Sequence, residues 1–200
     1  MCELLGLSSS KYVYPTKILA KFRERGRINR DGWGIAYYPP QSKSAVLVKE
    51  PKNALESELF EIVRRRIYTK LLIGHVRSTN AKATINYDNT HPFVRELGGR
   101  DYIFAHNGWI PKQNFKLDGF KPIGRTVSEH LFCYILRLVK EKNIDQWTYK
   151  DFKWLHEELR SINQYGKINC LMSDGLYLFA YRCIKSRKGL HYLLLSLIHI

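Results

Sequence analysis

The order of elements in this sequence predicts an α+β domain in which sheets pack against helices. Short apolar or alternating stretches near both ends read as strands, and two long stretches of helical periodicity lie between them. With 200 residues and 44% hydrophobic content, the chain is long enough and apolar enough for one sizeable core. A single domain over residues 1–200 is therefore expected.

Charge and cysteine usage narrow the setting. The net charge of +15, from 33 basic against 18 acidic residues, gives a positive surface field. The clusters at 21–30, Arg64-Arg65-Arg66 and 182–188 do not sit in any RNA- or DNA-binding signature, so a solvated basic surface is expected rather than a nucleic-acid partner. No basic-then-apolar leader precedes the first strand and no run is long enough to span a bilayer, so no membrane partner is expected. Cys2, Cys133, Cys170 and Cys183 are scattered without paired spacing, which argues against a disulfide framework or zinc ribbon and for a reducing, cytoplasmic location.

Taken in order, Glu3 to Leu7 predicts a strand ending at the turn-prone Ser8-Ser9-Ser10. Pro15 to Arg25 predicts a helix with Ile18, Leu19 and Phe22 on one face and Gly26 as its stop. Ile35 to Tyr38, closed by Pro39-Pro40, and Ala45 to Val48 predict two strands at hairpin distance. Leu55 to Tyr68 carries Leu55, Leu59, Ile62 and Val63 at helical spacing, with the arginine triplet near its end. Leu71-Leu72-Ile73 marks a buried strand running into Gly74-His75-Val76-Arg77, on which His75 and Arg77 share a face. Residues 80–89 read as a loop. Asp101 to Ala105 is a further strand, running into His106-Asn107-Gly108.

A capping box, Thr126-Val127-Ser128-Glu129, opens the first long helix, with Leu131, Ile135, Leu138 and Val139 on its core stripe. Thr148 to Ile162 forms the second, with Phe152, Leu155, Leu159 and Ile162 inward. Ile168 to Met172, Leu176 to Cys183 and His191 to Leu197 read as terminal strands, the first two joined by Ser173-Asp174-Gly175.

Three stretches carry possible chemistry. Removal of Met1 would place the Cys2 thiol and a free α-amine on one residue, a nucleophile with its own base, since an α-amine titrates near ~8. The alternative is an ordinary residue at a frayed terminus. In Asp31-Gly32-Trp33-Gly34, two glycines permit close backbone approach beside a large aromatic wall, or else form a plain turn around a core tryptophan. Asn107-Gly108 at the end of a strand offers a side-chain amide and an open backbone N–H, the donors an oxyanion requires, or else a type I′ hairpin turn.

The motifs Cys2-Glu3-Leu4-Leu5-Gly6, Asp31-Gly32-Trp33-Gly34, Gly74-His75-Val76-Arg77, Asn89-Thr90-His91-Pro92-Phe93, His106-Asn107-Gly108 and Ser173-Asp174-Gly175 occur in an order that resembles the class II glutamine amidotransferases, the N-terminal-nucleophile group, across about residues 1–185. The resemblance implies a four-layer α/β/β/α sandwich of two mostly antiparallel sheets, acting without metal or organic cofactor. It implies Cys2 as nucleophile on the side-chain amide of glutamine or a γ-glutamyl compound, Asn107 and Gly108 as oxyanion donors, and Arg77 as the clamp for the substrate α-carboxylate. Trp33, His75 and His91 would line or brace the pocket, whereas His106, on the opposite strand face from Asn107, is expected in the core. No synthase domain fits in 200 residues, so a separate ammonia-accepting synthase or simple hydrolysis follows.

Two departures from the family pattern stand out. Where that pattern has an Asp to grip the substrate α-ammonium, this chain has Val127, and Arg125 replaces an acid, which leaves Glu129 as the nearest substitute carboxylate. After Gly189 the sequence no longer matches, so a sheet lacking its last strands or a divergent terminal strand are both open. A rival reading is a catalytically silent module that binds through its basic surface. A metal site at His130 and Cys133 lacks a second ligand pair, and a core-facing explanation is expected for them.

Overall fold

The computed structural model describes residues 2–79, 85–111, 115–185 and 190–194. Its strands form two four-stranded antiparallel sheets. The first, ordered β1-β4-β2-β3, is built from β1 (Glu3–Val13), β2 (Trp33–Tyr37), β3 (Val46–Glu50) and β4 (Thr69–Val76). The second, ordered β5-β6-β7-β8, comprises β5 (Phe93–Glu96), β6 (Asp101–Trp109), β7 (Lys167–Ser173) and β8 (Leu178–Tyr181). Helices α1 (Thr16–Arg23) and α2 (Glu58–Val63) cover the outer face of the first sheet; α3 (Val127–Glu141) and α4 (Tyr149–Asn163) cover that of the second.

Three apolar layers follow from the period-2 alternation of the strands. Trp33, Ile35, Leu72 and Val76 pack outward with Leu19, Phe22 and Phe60 from the helices. Ala36, Tyr38, Leu71 and Ile73 face Ile103, Ala105 and Leu171 between the sheets. Phe104, Ile168, Cys170 and Met172 meet Phe132, Ile135, Leu155 and Leu159 on the far side. The result is the α/β/β/α order of layers. The Tyr38 hydroxyl spans the sheets, 2.8 Å from the Asp101 carbonyl and 3.0 Å from that of Ser173.

Several elements differ from expectation. β1 runs through Ser8-Ser9-Ser10, because this edge strand stays in register with β4 to Ser8 opposite Leu71 and, after a bulge, rejoins it at Val13 opposite Thr69. The chain after α1 continues through Gly26 as a 3-10 turn over Glu24–Arg27. The helix expected over 55–68 is α-helical only over Glu58–Val63, capped by Ser57 Oγ accepting from Phe60 N. Its inward residue is Phe60, while Leu59 and Ile62 are exposed: the single large ring fills the space under the sheet and fixes the helix rotation. β5 was not foreseen, being four residues of mixed polarity. No turn occurs at Asn107-Gly108, which lie inside β6 opposite Asn169 and Ile168. Of the strand expected over 191–197, residues 191–194 are non-strand and the rest lie outside the described residues, as do residues 80–84 of the expected loop and 186–188 of the last basic cluster. Among the described residues no helix is long and apolar enough to cross a membrane.

Candidate active site

Three strands meet at one end of the inter-sheet layer. β1 and β4 pair with Glu3 opposite Val76 and Leu4 opposite His75, so Cys2, Leu4, His75 and Arg77 share the inner face of the first sheet. On the second sheet Ile103 and Ala105 point inward, and Asn107 follows them by parity. The Asn107 side chain crosses the gap: its Nδ2 donates to the Cys2 carbonyl at 2.6 Å. A side-chain amide has two N–H donors, so one remains for another acceptor.

The Cys2 thiol is half-buried and is held by the backbone of the residue after Arg77. Sγ lies 3.4 Å from both the N–H and the carbonyl of Ser78, accepting from the first and donating to the second. Burial pushes the thiol above its ordinary pKa, opposed by the Ser78 N–H and by the Arg77 charge. Arg77, 5% exposed, is pushed down by burial and supported by the Cys2 and Asp31 charges. Its backbone exchanges hydrogen bonds with the Asp31-Gly32 segment: Arg77 N to Gly32 O at 2.7 Å and Asp31 N to Arg77 O at 3.0 Å. The Asp31 carboxylate accepts from Thr79 N at 2.6 Å, which fixes the same stretch from its other end.

Gly34 and Gly108 are glycines for steric reasons. A Cβ at Gly34 would meet the His91 carbonyl at 2.2 Å and Lys49 Cβ at 2.8 Å, so its absence lets the 89–92 segment press against the sheet. His91 thereby packs against His75, which is opposite Gly34 in the register, with ring centroids 4.4 Å apart, and against Phe93 at 4.5 Å, both pairs tilted. Lys49 holds this segment through Nζ to the Thr90 carbonyl at 2.8 Å and lies over the Tyr87 ring; its burial pushes the amine down to about 8. A Cβ at Gly108 would meet the Lys167 carbonyl at 1.8 Å.

His75 and His91 are buried, and among the described residues none of their four ring nitrogens makes a hydrogen bond of ordinary geometry. Burial, then neighbouring charge, pushes His75 down to about 3 and His91 well below the ordinary histidine range. They form a neutral, polar wall behind Arg77. His106 is buried on the helical side of β6, as expected, with Nδ1 2.9 Å from Ser128 Oγ, and burial pushes it down to about 4.

Two expected site residues lie elsewhere. Trp33, on β2, has the outward parity, is fully buried against Phe60, and donates from Nε1 to Glu50 at 3.1 Å; it is scaffold rather than pocket wall. Glu129 is 1% exposed and its carboxylate is spent: it pairs with Arg95 and accepts from Ile123 N at 3.0 Å and Gly124 N at 2.7 Å. Both carboxylate oxygens are thus engaged within the protein. Of the capping box only half forms, Thr126 Oγ1 accepting from Glu129 N at 3.2 Å. Val127 is the half-buried first residue of α3, and Arg125 is exposed. Cys133 is buried in the core and His130 Nδ1 lies 3.0 Å from the Thr126 carbonyl, so each has a local structural explanation. Asp174 caps the turn before β8 and pairs with Arg100. Sequence reasoning missed Ser78, which acts through its backbone and so leaves no side-chain signal, and Lys49 and Asn169, whose partners are far away in sequence.

Known proteins share this sequence pattern and this fold. Residues 1–196 match the family model described as "Glutamine amidotransferases class-II". The chain is 42% identical over 195 residues to an uncharacterized protein of Methanocaldococcus jannaschii, covering 96% of this chain and 54% of that protein. It is 33% identical over 191 residues to YafJ of Escherichia coli K12, covering 90% of this chain and 72% of that one. The chain thus spans about half the length of the first of these relatives and nearly three quarters of the second. Among solved structures, a predicted glutamine amidotransferase from Pseudomonas aeruginosa superimposes with a TM-score of 0.68 at 29% identity, over 92% of this chain and 73% of that one. The family pattern runs through nearly the whole sequence and the fold is the N-terminal-nucleophile sandwich, so this chain belongs to the class II glutamine amidotransferases.

Proposed function

We propose that the protein is an amidohydrolase in which Cys2, freed of Met1, attacks the side-chain amide of glutamine or of a γ-glutamyl compound. The observation that carries this reading is the delivery of a thiol, a guanidinium and a carboxamide to one inner surface by β1, β4 and β6, with Asn107 Nδ2 2.6 Å from the Cys2 carbonyl.

The thiol is raised by burial, so it needs a base, and the α-amine on the same residue supplies one. Sulfur adds to the amide carbon and the carbonyl electrons move to oxygen. The free N–H of Asn107 and the Gly108 N–H receive that charge. The C–N bond then breaks, the nitrogen leaves as ammonia or an amine with the proton taken from the thiol, and a thioester remains. Water cleaves the thioester to restore the thiol and release the acid. The planar fork of Arg77 suits the substrate α-carboxylate.

With Val127 at the start of α3 and Glu129 engaged elsewhere, neither supplies a carboxylate for an α-ammonium group, which favours γ-glutamyl substrates carrying another α-substituent alongside glutamine itself. Released ammonia passes to water or to a separate synthase in a cytoplasmic setting. The test is intact mass followed by ammonia release from glutamine and γ-glutamyl amides. Loss of Met1 and turnover abolished by Cys2→Ala are expected; equal release by native protein and Cys2→Ala would sink the assignment.

A further inference from the structure

Asn169 lies on β7 directly opposite Asn107, 7% exposed, on the inner parity shared with Leu171. Its amide makes two long-range contacts. Nδ2 donates to the Asn107 carbonyl at 3.2 Å, and Oδ1 accepts from the Cys183 N–H at 3.1 Å. The first contact falls on the peptide unit joining Asn107 to Gly108. In a trans peptide the N–H points opposite to the C=O, so a donor that holds the Asn107 carbonyl toward β7 aims the Gly108 N–H off the other edge of β6.

That edge is open at this level. β5 pairs with β6 only from Phe93 opposite Phe104 onward toward Glu96 opposite Asp101, and among the described residues 105–109 are paired to β7 alone. The second contact anchors the amide itself. With Oδ1 held by the N–H of the buried Cys183, just after β8, the NH₂ group cannot turn away. A donor on a carbonyl also polarises the peptide and makes its N–H a stronger donor in turn.

We propose that Asn169 is a positioning residue that orients and polarises the Gly108 N–H for the developing oxyanion. This rests on the amidohydrolase reading above. Asn169→Asp separates the two contacts, because a carboxylate still accepts from Cys183 N but cannot donate to the Asn107 carbonyl; Asn169→Ala removes both.

Three measurements on the full chain test it. The Gly108 amide ¹⁵N resonance reports the hydrogen bond on the Asn107 carbonyl without any turnover. It is expected to move upfield in Asn169→Asp, and an unchanged resonance overturns the proposal whether or not the protein hydrolyses glutamine. For ammonia release, kcat is expected to fall about 10-fold in Asn169→Asp with KM nearly unchanged, less than the roughly 10²–10³ lost when an oxyanion donor is deleted outright. Alkylation of Cys2 by iodoacetamide forms no tetrahedral oxyanion, so its rate should match the native protein. Parallel losses in alkylation and turnover would make Asn169 a merely structural residue and overturn the proposal. Where Asn169→Ala fails to fold, Asn169→Asp carries the test. Native protein without Cys2-dependent turnover refutes the amidohydrolase reading instead, and the resonance still decides the orientation of Gly108.

Discussion

Asn107 and His106 are adjacent on β6 yet belong to different worlds. Asn107 points into the layer between the sheets and bonds to the Cys2 carbonyl; His106 points into the helical layer and meets Ser128. The same division separates His75 and Arg77 from Val76 on β4, and Gly34 from Trp33 on β2. Chemistry gathers on the inner faces, where two sheets can each contribute strand ends, and scaffold on the outer faces, where helices cover everything. Strand parity, not proximity in sequence, decides which residue of a motif faces the layer between the sheets.

The largest effects should expose this division most clearly. Asn107→Ala removes the proposed oxyanion donor and is expected to lower kcat by roughly 10²–10³ with little change in thermal midpoint. Trp33→Ala, in a neighbouring motif but on the outer face, should do the reverse. Truncating a buried aromatic typically costs about 3–5 kcal/mol of stability, while the molecules that remain folded keep their kcat. Unfolding midpoints and active-site-titrated turnover, measured on both variants, check the pair. If Trp33→Ala lost turnover per folded molecule as severely as Asn107→Ala, the assignment of faces would be wrong.

A smaller test sits at the head of α3. Val127→Asp introduces an acceptor at the first helical position, where a carboxylate is also favoured by the helix dipole. A charge-assisted hydrogen bond is worth roughly 1.5–3 kcal/mol, so KM for free glutamine should fall about 10- to 100-fold. The fall should be absent for γ-glutamyl compounds whose α-nitrogen is acylated. No change for glutamine would mean that the missing carboxylate does not limit its binding.

How much of this was legible beforehand follows from the range of the interactions. Both long helices and most of the strands could be read from alternation and spacing, because those signals are local, whereas the layer order came from the family resemblance carried by the ordered motifs. The rotation of α2 could not: Leu59 and Ile62 satisfy the same helical period as Phe60, and only the space beneath the sheet selects the larger ring. The run of Ser8-Ser9-Ser10 looked like a stop because serine favours turns, but an edge strand tolerates it when its partner supplies the ladder. Glu129 was read as available because it is the carboxylate nearest in sequence to Val127, and nothing local shows what else engages it. Arg95, 34 residues away, and the Ile123 and Gly124 amides claim it instead. Asn169 carries no motif at all, since its two partners lie 62 and 14 residues away.

The mildest prediction concerns acid and sharpens the comparison from the side of stability. His75 on the inner face, His91 packed against it and His106 on the helical side all bind a proton less readily in the fold than in the unfolded chain, burial pushing His75 down to about 3 and His106 to about 4 against an ordinary value near 6.5. The unfolded state therefore takes up more protons as pH falls below about 6.5, and stability that is full above that value declines toward the native values. Each such histidine contributes a slope of up to about 1.4 kcal/mol per pH unit. Urea unfolding between pH 7 and pH 5 should show the decline. His75→Gln, which cannot be protonated there, should flatten the slope by one histidine's share, and His106→Gln should flatten it by a similar share. A slope untouched by His75→Gln would mean that the buried ring meets water or a proton before the fold opens. A ring that is fully buried and packed against His91 should not.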